Sequence, residues 1–469
     1  MTLTKNIVIH QNNTMPQRLK TDTTTSERLN WRDYQAGLKW SAAKKRLFKS
    51  ILKCSVLAFL LFIVAYRITS GVGEKSIPRL AADSFPSFNL GRSIDKKTVQ
   101  TLLNHASFVN LKNKSFDFVS NDHRFKVETS LNIELQNYLL SKLNTSTARY
   151  IGIVAMDPAT GKILSMVSFN KTDPSDNPCL DNRFPAASIF KIVTASAAIE
   201  KYGFSSDHVF TYNGMKHTLY KSQLKDRKTR YTNRITFKDA FAQSVNPVFG
   251  KIGALYLGKD TLLEYAKAFG FNKNIDFEII VDPSCVALSN EPYQWAEIAS
   301  GFNNKTKMSP LHGAMLASAI INQGQLLEPT IIDQIVNEKG RIIYKGKLIP
   351  MNQAMAPNAS QTLNRLMANT IKSGTGRKAF RRFQKDKILS RLNIGGKTGS
   401  IDNKIHDARY DWFVGFAEEK KGKEKIALSI IVAHEKYIGL RASYYARIAM
   451  KKYFEDAFAK NQNLSDNGG

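Results

Sequence analysis

The 469 residues hold 68 lysines and arginines against 39 aspartates and glutamates, a net charge of +29, with 43% hydrophobic residues. Such a chain suits one large domain with additions or two to three modest ones, and its ordinary apolar, Gly and Pro content excludes wholesale disorder, a collagen-like fibre and a many-pass membrane protein. Three cysteines exclude a disulfide-built scaffold, and beyond a net +8 over residues 1–53 the positive charge is diffuse, so no nucleic-acid partner is expected.

Residues 1–49 read as a basic cytoplasmic tail. Within it Thr24-Thr-Ser-Glu27 is a capping box that opens a basic helix with Leu29, Tyr34, Leu38 and Trp40. That helix either lies on anionic headgroups or extends the membrane segment. Thirteen uncharged, mostly apolar residues, Cys54–Tyr66, stand between Lys53 and Arg67. Snorkelling of Lys49, Lys53 and Arg67 lengthens the usable helix to 50–69, near the ~20 residues that a span needs. A basic region of over fifty residues ahead, and no small-x-small site directly after Tyr66, argue against a cleaved signal peptide. A buried soluble helix is the alternative. Lys44-Lys45-Arg46 before the run, against Arg67 alone after it, predicts a single-pass signal-anchor in the cell membrane. The N-terminus is then cytoplasmic and the rest periplasmic or otherwise extracytoplasmic.

Residues 70–125 read as a linker or small pedestal with one short helix, Asp95–Leu103. Phe116–Ser120 and Arg124–Leu131 flank Asn121-Asp122 in a hairpin pattern. A helix at Ile133–Leu143 follows, then strands Tyr150–Met156 and Ile163–Phe169 joined by the turn Asp157-Pro-Ala-Thr-Gly161. Residues 186–330 read as mainly helical. Strands return near Thr330–Tyr344, Ile394–Lys397, Trp412–Ala417 and Ile426–Ala433, before a closing helix, Ser443–Ala459. Strands at both ends of a helical middle predict one α+β domain over 126–460, an antiparallel sheet flanked by helices plus an all-helical lobe. Residues 461–469 are a polar tail.

Three short motifs carry the chemistry: Ser188-Ile-Phe-Lys191 at a helix start, Ser244-Val-Asn246 at a helix end or interhelical loop, and Lys397-Thr-Gly-Ser400 after Gly395-Gly396. A serine hydroxyl is a weak nucleophile until a base removes its proton. Residues three apart share a helix face, so Lys191 can reach Ser188, and Lys191 serves as base only if burial or a nearby positive charge keeps it neutral. Lys397 can supply that charge. The N–H groups of Ser188 and Ser400 form a candidate oxyanion hole. Ser244 can relay a proton to a leaving amine and Asn246 can hold a substrate amide. Lys397 and Thr398 suit a terminal carboxylate, and Gly399 lets a substrate backbone come close. Each motif alone is common; the ordered triplet is specific.

With these motifs the chain, from about Lys126 to Lys460, resembles the transpeptidase domain of penicillin-binding proteins. Thr129–Gln136 resembles that domain's opening helix and Ile153–Val167 its first hairpin. Trp295–Gly301 with Met308-Ser-Pro310, Ser373-Gly-Thr-Gly376 and Asp411-Trp-Phe-Val-Gly-Phe416 resemble the stretches that flank the second and third motifs. The resemblance implies the penicillin-binding transpeptidase fold preceded by one transmembrane helix. It also implies a monofunctional D,D-transpeptidase that cross-links peptidoglycan stem peptides through a Ser188 acyl-enzyme, with Lys191 and Ser244 catalytic and Asn246, Lys397, Thr398, Gly399 and Ser400 binding substrate. Stem peptides are the expected partners, β-lactams the expected inhibitors, and a cell-wall polymerase the implied protein partner. Thr69 to Phe125 is too short for the glycosyltransferase domain of bifunctional members, and shorter than the pedestal through which monofunctional members usually meet a polymerase. No cofactor is expected, and the eight histidines show no ligand spacing for a metal. His406 reads as a surface-loop residue near the cleft. Phe184, Phe190 and Trp412 read as core.

The alternatives are a D,D-carboxypeptidase or a β-lactamase on the same fold, and a non-enzymatic sensor or scaffold. The filled catalytic positions argue against an idle domain, and no Glu motif for deacylation follows Asn246. For Cys179 and Cys285 two readings stay open: a disulfide, or two unpaired buried thiols.

Overall fold

The computed structural model describes residues 93–466 except 104–107, 121–122 and 404–407. The basic tail, the 50–69 segment and His406 lie outside the described residues. Among the described residues no helix is long and apolar enough to cross a membrane.

The first helix, α1 (Lys96–Leu102), starts where the Asp95 carboxylate accepts the Thr98 N–H at 2.8 Å. Strands β1 (Ser115–Ser120) and β2 (His123–Thr129) pair as the expected hairpin. Asn132 caps α2 (Ile133–Ser141), and β3 (Ala148–Met156) and β4 (Ile163–Asn170) form the next antiparallel pair. A 3-10 turn (Ala187–Phe190) runs directly into α3 (Lys191–Tyr202), which ends on Gly203 in the left-handed region.

The stretch 186–330 is not purely helical. It holds a hairpin, β5 (Val209–Tyr212) with β6 (Asn233–Thr236), whose strands of four residues are too short to show period-two alternation. Against it pack α4 (Phe237–Ala242) and α5 (Asn246–Lys251), followed in the chain by α6 (Gly258–Ala268), α7 (Pro292–Ser300) and α8 (Pro310–Ile321). Then come β7 (Gln325–Leu327), β8 (Ile332–Asn337), β9 (Ile342–Lys345), β10 (Pro350–Gln353) and α9 (Pro357–Lys372). The chain closes with β11 (Leu392–Asn403), β12 (Ala408–Glu419), β13 (Lys425–His434) and α10 (Ala442–Asp466). The third motif therefore lies inside a strand of 12 residues, not at its end.

The principal sheet has the order β11-β12-β13-β3-β4, antiparallel throughout. Helix α8 packs on one face and α10 with α2 on the other. Both faces are thus buried, which is why β13 reads Ile426-Ala-Leu-Ser-Ile-Ile-Val-Ala433 without polar alternation. Successive side chains still divide between two cores. Val154, Trp412, Val414 and Ile431 face the helical lobe, while Ile153, Phe413, Ile430 and Val432 meet α10.

A second sheet, β1-β2-β8-β9, joins the end of the expected pedestal to residues 332–345 of the domain. Neither reading of the cysteines holds in full. Cys179 and Cys285 are both free, with Cys179 buried and Cys285 exposed. The Cys179 thiol sits under β3 and β4, in contact with the Ile153 and Val167 carbonyls, and burial pushes its pKa up to about 12.

Candidate active site

The turn that carries Ser188 is held from three sides. The buried Trp412 on β12 donates its indole N–H to the Pro185 carbonyl at 2.8 Å, the Ala186 N–H bonds to the Thr306 carbonyl at 2.9 Å, and Gly399 on β11 lies against Ala187 and the Ser188 nitrogen. Ala187 has φ 47°, a left-handed conformation that an alanine does not choose without surrounding constraint. The constraint includes Gly301, where a Cβ would stand 1.9 Å from the Ala187 carbonyl oxygen. Helix α3 then carries Lys191 one turn beyond Ser188.

Lys191 has no solvent exposure. Its Nζ lies 2.9 Å from Ser188 Oγ and donates to Asn246 Oδ1 at 2.8 Å and to the Ser300 carbonyl, which leaves the lone pair of a neutral amine for the Ser188 hydroxyl. Burial first, and the charge of Lys397 second, hold its pKa well below the ordinary lysine range. A neutral amine beside a hydroxyl is a general base. Ser244 occupies the link between α4 and α5, also left-handed at φ 56°, and its Oγ accepts from Lys397 Nζ at 3.0 Å. Lys397 is equally inaccessible, and burial pushes its pKa down to about 7. Asn246 is oriented from both sides, because its Nδ2 donates to the His217 carbonyl at 3.0 Å and its N–H to the Lys216 carbonyl at 2.7 Å.

Strand β11 is the sheet edge that faces this turn. Half of its N–H and C=O groups are not used by β12 and remain available on the open side. Close approach of the strand depends on glycine: a Cβ at Gly395 or Gly396 would stand 2.4 Å from the ring of Phe416 or Phe413. The Thr398 hydroxyl is hydrogen-bonded to that of Thr375, and Ser400 Oγ donates to Asp411 Oδ1 at 3.2 Å.

These groups open onto a cleft of about 1040 Å³, lined by Ser188, Ser244, Asn246, Thr398 and Ser400 among others. Lys191 and Lys397 lie buried beneath them. All eight residues singled out in the three motifs therefore meet at one place, although 212 positions separate the first from the last. Among the described residues, no group of His, Cys, Asp and Glu is arranged to hold a metal ion.

Residues 151–457 match the family described as the penicillin binding protein transpeptidase domain. The chain belongs to that family. It is 25% identical over 314 residues to the stage V sporulation protein D of Bacillus subtilis, covering 62% of this chain and 47% of that protein. It is 24% identical over 322 residues to the peptidoglycan D,D-transpeptidase PbpA of Mycolicibacterium smegmatis, covering 60% and 61%. The match thus spans about half to three-fifths of these curated relatives. Among solved structures, the D,D-transpeptidase domain of a peptidoglycan glycosyltransferase from Eggerthella lenta shares the fold, with TM-score 0.58, 22% identity and coverage of 76% of this chain and 87% of that one. PBPA from Mycobacterium tuberculosis does so with TM-score 0.56, 20% identity and coverage of 70% and 81%.

The family's penicillin-binding fold brings residues to the cleft that the motifs did not name. His217 lines it, and burial lowers its pKa. Lys378, Arg409 and Arg441 line it as well. None sits in a spaced motif, so nothing local marks them. Ser300 contributes only a carbonyl, which any residue type offers.

Proposed function

We propose that the chain is a serine D,D-transpeptidase that acts on peptidoglycan stem peptides ending in D-Ala-D-Ala. The observation that carries this is the fully buried Lys191 amine, 2.9 Å from Ser188 Oγ and depressed in pKa. Lys191 takes the Ser188 proton as Oγ attacks the penultimate D-Ala carbonyl. A tetrahedral intermediate forms, its oxyanion received by the Ser188 and Ser400 N–H groups. Its C–N bond then breaks, leaving an ester on Ser188. The departing D-Ala amine takes a proton through Ser244, which Lys397 hydrogen-bonds. Asn246 holds a substrate amide, Lys397 and Thr398 the terminal carboxylate, and Gly399 leaves room for the substrate backbone. An amine from a neighbouring stem peptide then attacks the ester, the C–O bond to Ser188 breaks, and the proton returns to Oγ.

The family match and the PbpA relative support this reading over a carboxypeptidase or β-lactamase. No Glu motif for deacylation follows Asn246, so a β-lactamase would lack its dedicated base. In this reading residues 50–69 anchor the domain in the cell membrane, with the site on the extracytoplasmic side and β-lactams as inhibitors. The basic cluster before Cys54 supports that orientation. A cell-wall polymerase remains the proposed protein partner.

The test is labelling of the purified chain with fluorescent penicillin. A stoichiometric adduct that lasts many minutes, absent in Ser188→Ala, is expected. Rapid turnover of nitrocefin by the wild-type chain would replace the transpeptidase with a hydrolase.

A further inference from the structure

The segment after α9 ties the second motif to the third. Helix α9 packs on α4, where Asn369 Nδ2 donates to Asp239 Oδ1 at 2.9 Å. Beyond it the N–H groups of Ser373 and Gly374 both return to the Asn369 carbonyl, at 2.9 and 3.1 Å. A Cβ at Gly374 would stand 2.3 Å from the Ala242 carbonyl oxygen, so only glycine allows the chain to pass this close. The approach sets Thr375 against Ala242, the last residue of α4, two positions before Ser244. The Thr375 N–H donates to the Ala242 carbonyl at 3.0 Å, and the residue lines the cleft with Ser244 and Thr398.

The Thr375 hydroxyl has two partners. Its Oγ1 lies 3.3 Å from the Ala242 carbonyl oxygen and is hydrogen-bonded to Thr398 Oγ1, where either hydroxyl can donate. Each hydroxyl carries one proton, so the chain Thr398–Thr375–Ala242 has two arrangements. When Thr375 donates to Ala242, Thr398 donates to Thr375 and offers the cleft no proton. When Thr375 donates to Thr398, the Thr398 proton is free for an anion in the cleft. The second arrangement orphans no acceptor, because the Ala242 carbonyl keeps the Thr375 N–H. All it gives up is a hydrogen bond of 3.3 Å.

We propose that Thr375 is a positioning residue for acyl transfer. It accepts the Thr398 proton in the free enzyme and becomes the donor when a carboxylate arrives, so that Thr398 meets the carboxylate as an oriented donor. The inference rests on the transpeptidase reading. Lys397 brings charge, whereas the two hydroxyls bring direction, and a hydroxyl that itself accepts a hydrogen bond donates more strongly. Thr375 acts through Thr398 and not on the reacting atoms.

The test measures the second-order rate of acylation of the purified full-length chain by benzylpenicillin and by its methyl ester. The acid carries a carboxylate for Thr398 and the ester does not. Thr375→Val keeps the branched shape and removes the hydroxyl. It is expected to slow acylation by the acid about tenfold and by the ester less than about twofold, since a hydrogen bond to a charged group is the stronger one. Thr375→Ser should bring the acid back to within about threefold of wild type, because it restores the hydroxyl. In a Thr398→Val background, Thr375→Val should slow the acid by less than about a further twofold, as groups that act as a unit are not additive. If Thr375→Val lowers the melting temperature, Thr375→Ala takes its place in the same comparison. Equal losses for acid and ester would mark a structural role and overturn the inference. So would an undiminished rate with the acid, no rescue by serine, or an undiminished loss in the Thr398→Val background, each leaving the transpeptidase reading standing. Failure of penicillin to acylate Ser188 in the wild-type chain would overturn the transpeptidase reading, and the role of Thr375 with it.

Discussion

Lys191 and Lys397 share one environment and differ in what it does to them. Both are without solvent contact, and burial disfavours their charged forms. For Lys191 burial comes first and the Lys397 charge second, and together they hold its amine well below the ordinary lysine range, as a base requires. Lys397, near 7, still carries charge on the acid side of neutrality. In kcat/KM, which reports the free enzyme, acylation by a carboxylate-bearing penicillin should fall as pH rises through about 7 and Lys397 loses the charge that binds the carboxylate. Lys397→Ala should lower the rate and flatten that alkaline limb; a stopped-flow pH profile measures both. Lys191→Ala should prevent labelling at every pH, since Ser188 then lacks its base. At Gly301, φ 67° and the Ala187 carbonyl leave no space for a methyl group. Gly301→Ala should therefore displace the Ser188 turn, slow penicillin labelling at least about tenfold and destabilise the fold by about 1–3 kcal/mol in denaturant titration.

At the level of elements, the site is a contact between a sheet edge and two helix starts. Register places Gly399 opposite Trp412 and Ser400 opposite Asp411, so β12 positions β11 from behind. Trp412 also reaches across to Pro185, linking that strand to the Ser188 turn. Trp412→Phe keeps the aromatic packing against Phe184 but leaves the buried Pro185 carbonyl without its donor. The expected cost is about 1–2 kcal/mol in chemical unfolding, together with slower acylation. Indole loss without any effect on the labelling rate would show that the turn is held by its other contacts alone.

Across the whole molecule, α1 is fastened to the domain far from the cleft. Lys96 Nζ reaches Glu328 at 2.9 Å and the carbonyls of Asp276 and Pro329, while Gln100 donates to the Phe277 carbonyl. Lys96→Ala should cost about 2–4 kcal/mol, since it removes one partner of a buried pair. Beside it Glu278, 1% exposed, accepts from Thr330, Tyr344 and the Ile331 N–H, and burial raises its pKa above the ordinary 4.5. A raised carboxyl binds more protons in the folded than in the unfolded state. The stability it contributes is therefore complete below pH 4.5 and is lost as pH climbs toward its folded value. Melting temperatures across that range should show the decline, and Glu278→Gln should reduce the slope.

The features legible along the chain are those that depend on local spacing and residue type. Ser188 and Lys191 lie three apart, Asn246 follows Ser244 at a helix start, and Lys397–Ser400 sits on a glycine-lined strand; each is fixed by chain geometry that a motif records. The strand runs of β3, β4, β12 and β13 were legible for the same reason, as was the α+β order. Tertiary structure alone decided the short hairpin of β5 and β6, the joining of β1 to β8 and β9, and the separation of Cys179 from Cys285. It also decided the depressed lysines, whose pKa depends on burial from all sides. Contacts between residues far apart in the chain leave no period in it, because their partners are chosen by packing and not by spacing.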